Sequence, residues 1–142
     1  MLMRKKEVRS YSFKQIKLCK KQKKKGVIKP GFLKEKEKFG DKLQFIIGDV
    51  SLECTAIDYA KKAIDHFGKI DVMINNAAVS IVKSVIEHKP QEWDRVMNVN
   101  VKSIYLSARC VVPLMRKQGG GVILNTGSIS GVVGIHTQGA YA

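Results

Sequence analysis

The sequence predicts an α/β fold, part of a doubly wound parallel sheet, and three observations predict it. Short apolar runs read as buried strands, longer stretches carry an apolar residue every three or four positions, and the two kinds alternate along the chain. At 142 residues there is room for one domain at most. That is short for a complete doubly wound enzyme domain, so the length suggests a piece of one.

The first third stands apart by charge. Met1 to Lys42 holds 16 Lys/Arg against 4 Asp/Glu, and Leu43 to Ala142 holds 10 against 8. Residues 1–31 lack sustained periodicity and contain Lys20-Lys21-Gln22-Lys23-Lys24-Lys25. They read as a basic, self-repelling, disordered tail, and residues 32–142 as the folded domain. A nucleic-acid patch is the other reading of the lysines, but Tyr11, Phe13 and Phe32 do not interleave with the densest of them. Nucleic acid is therefore not the expected partner.

The elements come in order along the chain. Phe32 to Phe39 fits the end of a helix stopped by Gly40. Leu43 to Ile47 is a short apolar run, expected as a buried strand. Ser51 is a plausible N-cap for a helix whose Ile57, Ala60, Ile64 and Phe67 make one stripe, closed by Gly68. Ile70 to Ile74 is a second strand. Pro90 suits a first helical position. The helix after it is expected to put Trp93, Met97, Asn100, Ile104, Ala108, Val111 and Met115 on one face, with Pro113 kinking or ending it. Gly119 to Gly121 is a loop, and Val122 to Leu124 starts a third strand.

Polar residues that the apolar pattern does not explain mark the chemistry. Asp49 comes after the first expected strand, as a turn carboxylate or a ligand contact. Asn75-Asn76-Ala77-Ala78 comes after the second, as a plain turn or as small residues where a ligand needs close approach. Strand ends of this kind are where open α/β sheets bind ligands. Asn100 lies inside an apolar helical stripe, where an unpaired amide costs about 1–3 kcal/mol, so it needs backbone, water or ligand as a partner. Ser128 lies in a Gly-Ser turn after the third strand, with Tyr141 thirteen residues on. On local grounds Ser130 could replace Ser128.

Cys19, Cys54 and Cys110 are odd in number and lack metal-ligand spacing, as expected of thiols in a reducing cytoplasm. His66, His88 and His136 have no metal partners in sequence and are expected at the surface; no metal site is expected. No apolar run reaches the ~20 residues of a membrane span, and no secretory h-region succeeds the basic N-terminus. The expected location is the cytoplasm, with no membrane partner.

Taken in order, Gly48-Asp49-Val50, Asn75-Asn76-Ala77-Ala78, Val99-Asn100-Val101, Asn125-Thr126-Gly127-Ser128 and Gly139-Ala140-Tyr141-Ala142 resemble the short-chain dehydrogenase/reductase family across Phe39 to Ala142. The resemblance implies a Rossmann-like domain and an NAD(P)-dependent oxidoreductase that interconverts a small-molecule alcohol and carbonyl. It implies that Asp49 and Val50 approach the adenine, and that Asn75, Asn76, Ala77 and Ala78 line the NAD or NADP. It further implies that Asn100 holds a water in a proton relay, Ser128 binds the substrate oxygen, and Tyr141 is the general acid/base. Family members are usually homo-oligomers, through a face like that of Trp93 to Met115.

Departures from the family pattern are deletions, apart from Ala78 where a glycine is usual. The family's glycine-rich strand–turn–helix, which holds the pyrophosphate at a helix N-terminus, has no match before Asp49. Its lysine, four residues beyond the tyrosine, would fall beyond Ala142. The expectation is a fragment lacking the first strands and the C-terminal part, inactive alone. The alternative is a non-catalytic remnant whose basic tail binds acidic partners or nucleic acid.

Overall fold

A computed structural model describes residues 30–142. Most of the expected tail, with its lysine run and Cys19, lies outside the described residues. The chain forms two compact units, one ending at Asp49 and the other spanning Val50–Ala142.

In the first unit, helix α1 (Pro30–Phe39) gives way to a 3-10 turn at Gly40–Lys42. Gly40 has φ +53, a left-handed conformation that favours glycine. The Lys36 ammonium folds back over this end, donating to the carbonyls of Gly40 (2.6 Å) and Leu43 (2.7 Å). Gly40 O also accepts from Leu43 N–H (3.3 Å), so the ammonium and the backbone together close the turn. Leu43 to Ile47 is not the expected strand. It belongs to no strand among the described residues, and Ile47 is exposed. A strand is defined by what it pairs with, and the apolar pattern reports only a preference for burial.

The second unit opens with α2 (Glu53–Phe67). Its cap position is Leu52, without a side-chain cap, so the helix starts one residue later than a Ser51 cap would place it. Gly68 ends it as expected, at φ +80 and with its N–H donating to Ile64 O (3.0 Å). Strand β1 (Val72–Asn75) leads to a 3-10 turn at Val85–Glu87 and then to α3 (Pro90–Met97). A π turn at Asn98–Lys102 joins α3 to α4 (Ser103–Gln118), and β2 (Val122–Asn125) comes next. β1 and β2 pair in parallel, Val72 opposite Val122 through Asn75 opposite Asn125. The described sheet thus has two strands, not three.

The α3–α4 face differs from the expected one, and the π turn is the reason. A π turn holds an extra residue and rotates the helix before it against the helix after it. Before and within it the buried positions are Val96 and Val99, one residue earlier than the expected Met97 and Asn100. After it the expected Val111 and Met115 are buried, while Trp93, before it, is exposed. Pro113 neither ends nor interrupts α4, which continues to Gln118. Val111 and Met115 on either side are locked in the core, and that burial outweighs the lost backbone bond.

The core is built from Ala56 and Ala60 of α2, Ile70, and Leu106, Cys110, Val111 and Met115 of α4. Met73 and Ile123 add one face of the sheet to it. The buried Ser103 and Ser107 return their hydroxyls to the carbonyls of Val99 and Ile104, so neither leaves a polar atom stranded. The other face of the sheet carries Val72, Ile74, Val122 and Leu124, each at least 50% exposed. His66 and His136 are exposed as expected, but His88 is not a surface residue: both its ring nitrogens are buried and have no hydrogen-bond partner. Among the described residues no three His, Cys, Asp or Glu side chains could hold a metal ion, and no helix is long and apolar enough to cross a membrane.

Candidate active site

Two side-chain amides fasten β1 at its two ends. Before the strand, Gln118 at the end of α4 accepts from Ile70 N–H (3.1 Å) and donates to Ile70 O (2.6 Å) and Gly120 O (2.9 Å). After it, Asn100 accepts from Val79 N–H (2.9 Å) and donates to Val79 O (2.9 Å). Each amide thus reads one residue's backbone as a strand neighbour would. The expected requirement of Asn100 for a partner is met by backbone. The π turn brings this about, because it leaves Asn100 half-buried at the edge of the core rather than within it.

At the strand ends Asn75 Nδ2 donates to Asn125 Oδ1 (2.8 Å), and Thr126 N–H donates to Asn75 O (2.9 Å), extending the ladder by one step. The chains leaving the sheet here are small-residued and open. Asn76, Ala77 and Ala78 are exposed, and a Cβ at Gly127 would meet nothing within 4 Å.

Ser128 caps a 3-10 turn at Ile129–Gly131. Its Oγ accepts from Ser130 N–H (3.2 Å) and donates to Ser130 Oγ (3.2 Å), and Ser130 Oγ donates to Gln138 Oε1 (2.9 Å). The Gln138 carbonyl accepts from Tyr141 N–H (2.8 Å). Ser128 and Tyr141 are therefore joined through Ser130 and Gln138. Ser130 is buried with its hydroxyl committed to Gln138, whereas Ser128 is half-buried. Gln138 is the residue that sequence reasoning missed. Its signal was faint, one of three successive polar residues (His136, Thr137, Gln138) shortly before the tyrosine.

Lys83 draws the loop after β1 to the same place. Its N–H donates to Thr137 O (2.8 Å), and its ammonium donates to Glu92 Oε1 on α3 (2.6 Å). Glu92 Oε2 also accepts from Lys89 N–H (3.0 Å). The bond from Lys83, then that from Lys89, holds the Glu92 carboxyl below its ordinary range. Thr137 has φ +65, a strained conformation for a β-branched residue.

The second unit thus brings together Asn75 with Asn125, Asn100 with Val79, and Ser128 with the backbone of Tyr141. Val50 is its first residue. Asp49 ends the first unit.

The sequence model of the short chain dehydrogenase family matches residues 15–142, beginning inside the segment read as a tail. An uncharacterised oxidoreductase of Thermotoga maritima is 37% identical over 103 residues, covering 72% of this chain and 40% of the relative. The 3-oxoacyl-[acyl-carrier-protein] reductase of the same organism is 36% identical over 85 residues, covering 60% of this chain and 35% of the relative. A cyclopentanol dehydrogenase of a Comamonas species is 34% identical over 102 residues, covering 72% and 41%. The chain spans about 40% of the length of the curated relatives it matches. With the family model matched over most of its length, the chain belongs to the short-chain dehydrogenase family.

Proposed function

We propose that the chain is part of an NAD(P)-dependent oxidoreductase that interconverts an alcohol and a carbonyl, and that these 142 residues alone turn over nothing measurable. The observation that carries the reading is the link from Ser128, beyond the end of β2, through Ser130 and Gln138 to the backbone of Tyr141. In this reading Ser128 Oγ donates to the substrate oxygen, and the Tyr141 phenol gives or takes the proton of that oxygen. Asn100, with both amide ends on Val79, positions the loop after β1 and has one donor and one acceptor site left for a water.

The bound dinucleotide would supply or accept the hydride. The residues present fit its near edge: Asn75, Asn76, Ala77 and Ala78 leave an open, small-residued strand end. Val50 and Asp49 are proposed for the adenine. Among the described residues no glycine-rich strand–turn–helix is present for the pyrophosphate, so weak binding is expected. A phenol with a reference pKa near ~10 works as a base near neutrality only beside a cation. Lys83, whose backbone reaches Thr137, spends its ammonium on Glu92. The buried Cys54 and Cys110, in no disulfide, support a cytoplasmic setting. Exposed Trp93, Val101 and Tyr105 offer a surface for a second copy.

The test is a titration of the 15N-labelled chain with NADH or NADPH, and then an assay with a simple ketone. Amide shifts at Asn75–Ala78 and Gly127–Ser128, without turnover, are expected. Absence of shifts there would remove the dinucleotide reading, and cofactor-dependent ketone reduction would overturn the inactivity.

A further inference from the structure

Two loops beside the Ser128–Tyr141 link are rich in exposed aliphatic side chains. Val82, Val85 and Ile86 lie in the loop after β1, and Val132, Val133 and Ile135 lie in the loop after β2. Ile86 is 90% exposed and Val132 83%, far beyond the incidental exposure of a surface aliphatic residue. The loops are fastened to each other. Lys83 N–H donates to Thr137 O (2.8 Å), Lys83 and Gln138 form a parallel bridge, and a Cβ at Gly139 would stand 3.1 Å from Val85 Cβ.

Four of the polar side chains among them are engaged within the protein. The Lys83 ammonium is on Glu92, the Glu87 carboxylate accepts from Ser84 N–H, the Thr137 hydroxyl donates to His136 O, and Gln138 Oε1 accepts from Ser130. The rim therefore presents chiefly methyl groups between side chains whose main hydrogen bonds are made within the protein. A polyol, sugar or anionic substrate would lose water here and find few partners, a net cost. A hydrocarbon substituent would cover exposed methyls at a gain.

We infer that the substrate of this site carries an uncharged aliphatic substituent, a chain or a ring, next to its reacting carbon. The inference rests on the oxidoreductase reading and adds the substrate class to it.

The test uses the whole chain with 13C-labelled Ile and Val methyls, titrated with 2-decanone and separately with 1,3-dihydroxyacetone. Saturable shifts of the Val85, Ile86, Val132 and Val133 methyls with 2-decanone, and none with dihydroxyacetone, are expected. Val85→Asp and Val132→Asp, at exposed positions, should abolish those shifts and leave the NADH-induced amide shifts at Asn75–Ala78 in place. Three outcomes overturn the substrate class: equal response to dihydroxyacetone, 2-decanone shifts confined to Val72, Ile74 and Val122 on the sheet, or rim shifts that appear on raising protein concentration alone. The NADH arm separates the two readings. Its shifts with no ketone response sink the substrate class alone, and their absence sinks the oxidoreductase reading with it.

Discussion

Asn100 holds Val79 by both its N–H and its C=O, so one side chain fixes the direction in which the chain leaves β1. Asn100→Leu keeps the volume and removes both bonds. It should cost about 1–3 kcal/mol and speed amide exchange from Asn76 to Val79, read by hydrogen exchange. An unchanged exchange pattern would show that the loop is held by something else. Tyr59 gives a second residue-scale prediction. Burial, partly offset by a hydrogen bond with Ser107 and reinforced by Cys110, pushes its phenol up to about 12. The folded state thus keeps a proton that the unfolded state releases near ~10. This contribution is complete below pH ~10 and is lost as pH rises from there to about 12. Denaturant titrations should show wild type losing stability over that window more steeply than Tyr59→Phe.

At the scale of elements, α4 and β2 meet at Gly121, where a Cβ would stand 2.6 Å from Met115 Cγ. Met115 is in the core and cannot swing clear, so Gly121→Ala should destabilise by about 1–3 kcal/mol, measured by urea unfolding. The Lys83–Glu92 pair joins the loop after β1 to α3. Because the Glu92 carboxyl is lowered, the pair stabilises the fold above the unfolded glutamate's pKa of ~4.3 and is lost as pH falls through the folded value. Wild type should therefore exceed Glu92→Gln in stability at neutral pH and converge with it in acid. The helices were legible in the sequence because their signals are local. Gly68 stops α2, and Pro90 starts α3. Two features were not legible. The π turn moves the buried face from Met97 and Asn100 to Val96 and Val99, and no spacing rule announces an extra residue in a helical turn. Leu43 to Ile47 reads as a strand but belongs to no sheet among the described residues, and sheet membership depends on chain far away in sequence. Motif order picks out Asn75, Asn100 and Ser128, and the structure gives each of them hydrogen bonds, while their roles in a site are proposed. Gln138 was not legible, since its role exists only once Ser130 and Tyr141 are brought to it.

At the scale of the second unit, the sheet is covered on one face only by the described residues. Parallel sheets are normally covered on both, yet Val72, Ile74, Val122 and Leu124 are all exposed. This face should make the chain self-associate. Sedimentation should show a mass that rises with concentration, and Ile74→Thr with Leu124→Thr should suppress the rise. A monomer at all concentrations would mean that the face is covered in solution.

The central claim is that the strand ends of β1 and β2 form the dinucleotide edge of an oxidoreductase site. The most direct measurement is the NADH titration of the 15N-labelled chain, repeated without residues 1–25 and at raised salt. Amide shifts at Asn75–Ala78 and Ser128 that survive both changes are expected. Shifts that vanish with the basic segment and fall steeply with salt, as phosphate-driven binding does, would contradict it. Such shifts would make the lysine-rich segment the binding element instead.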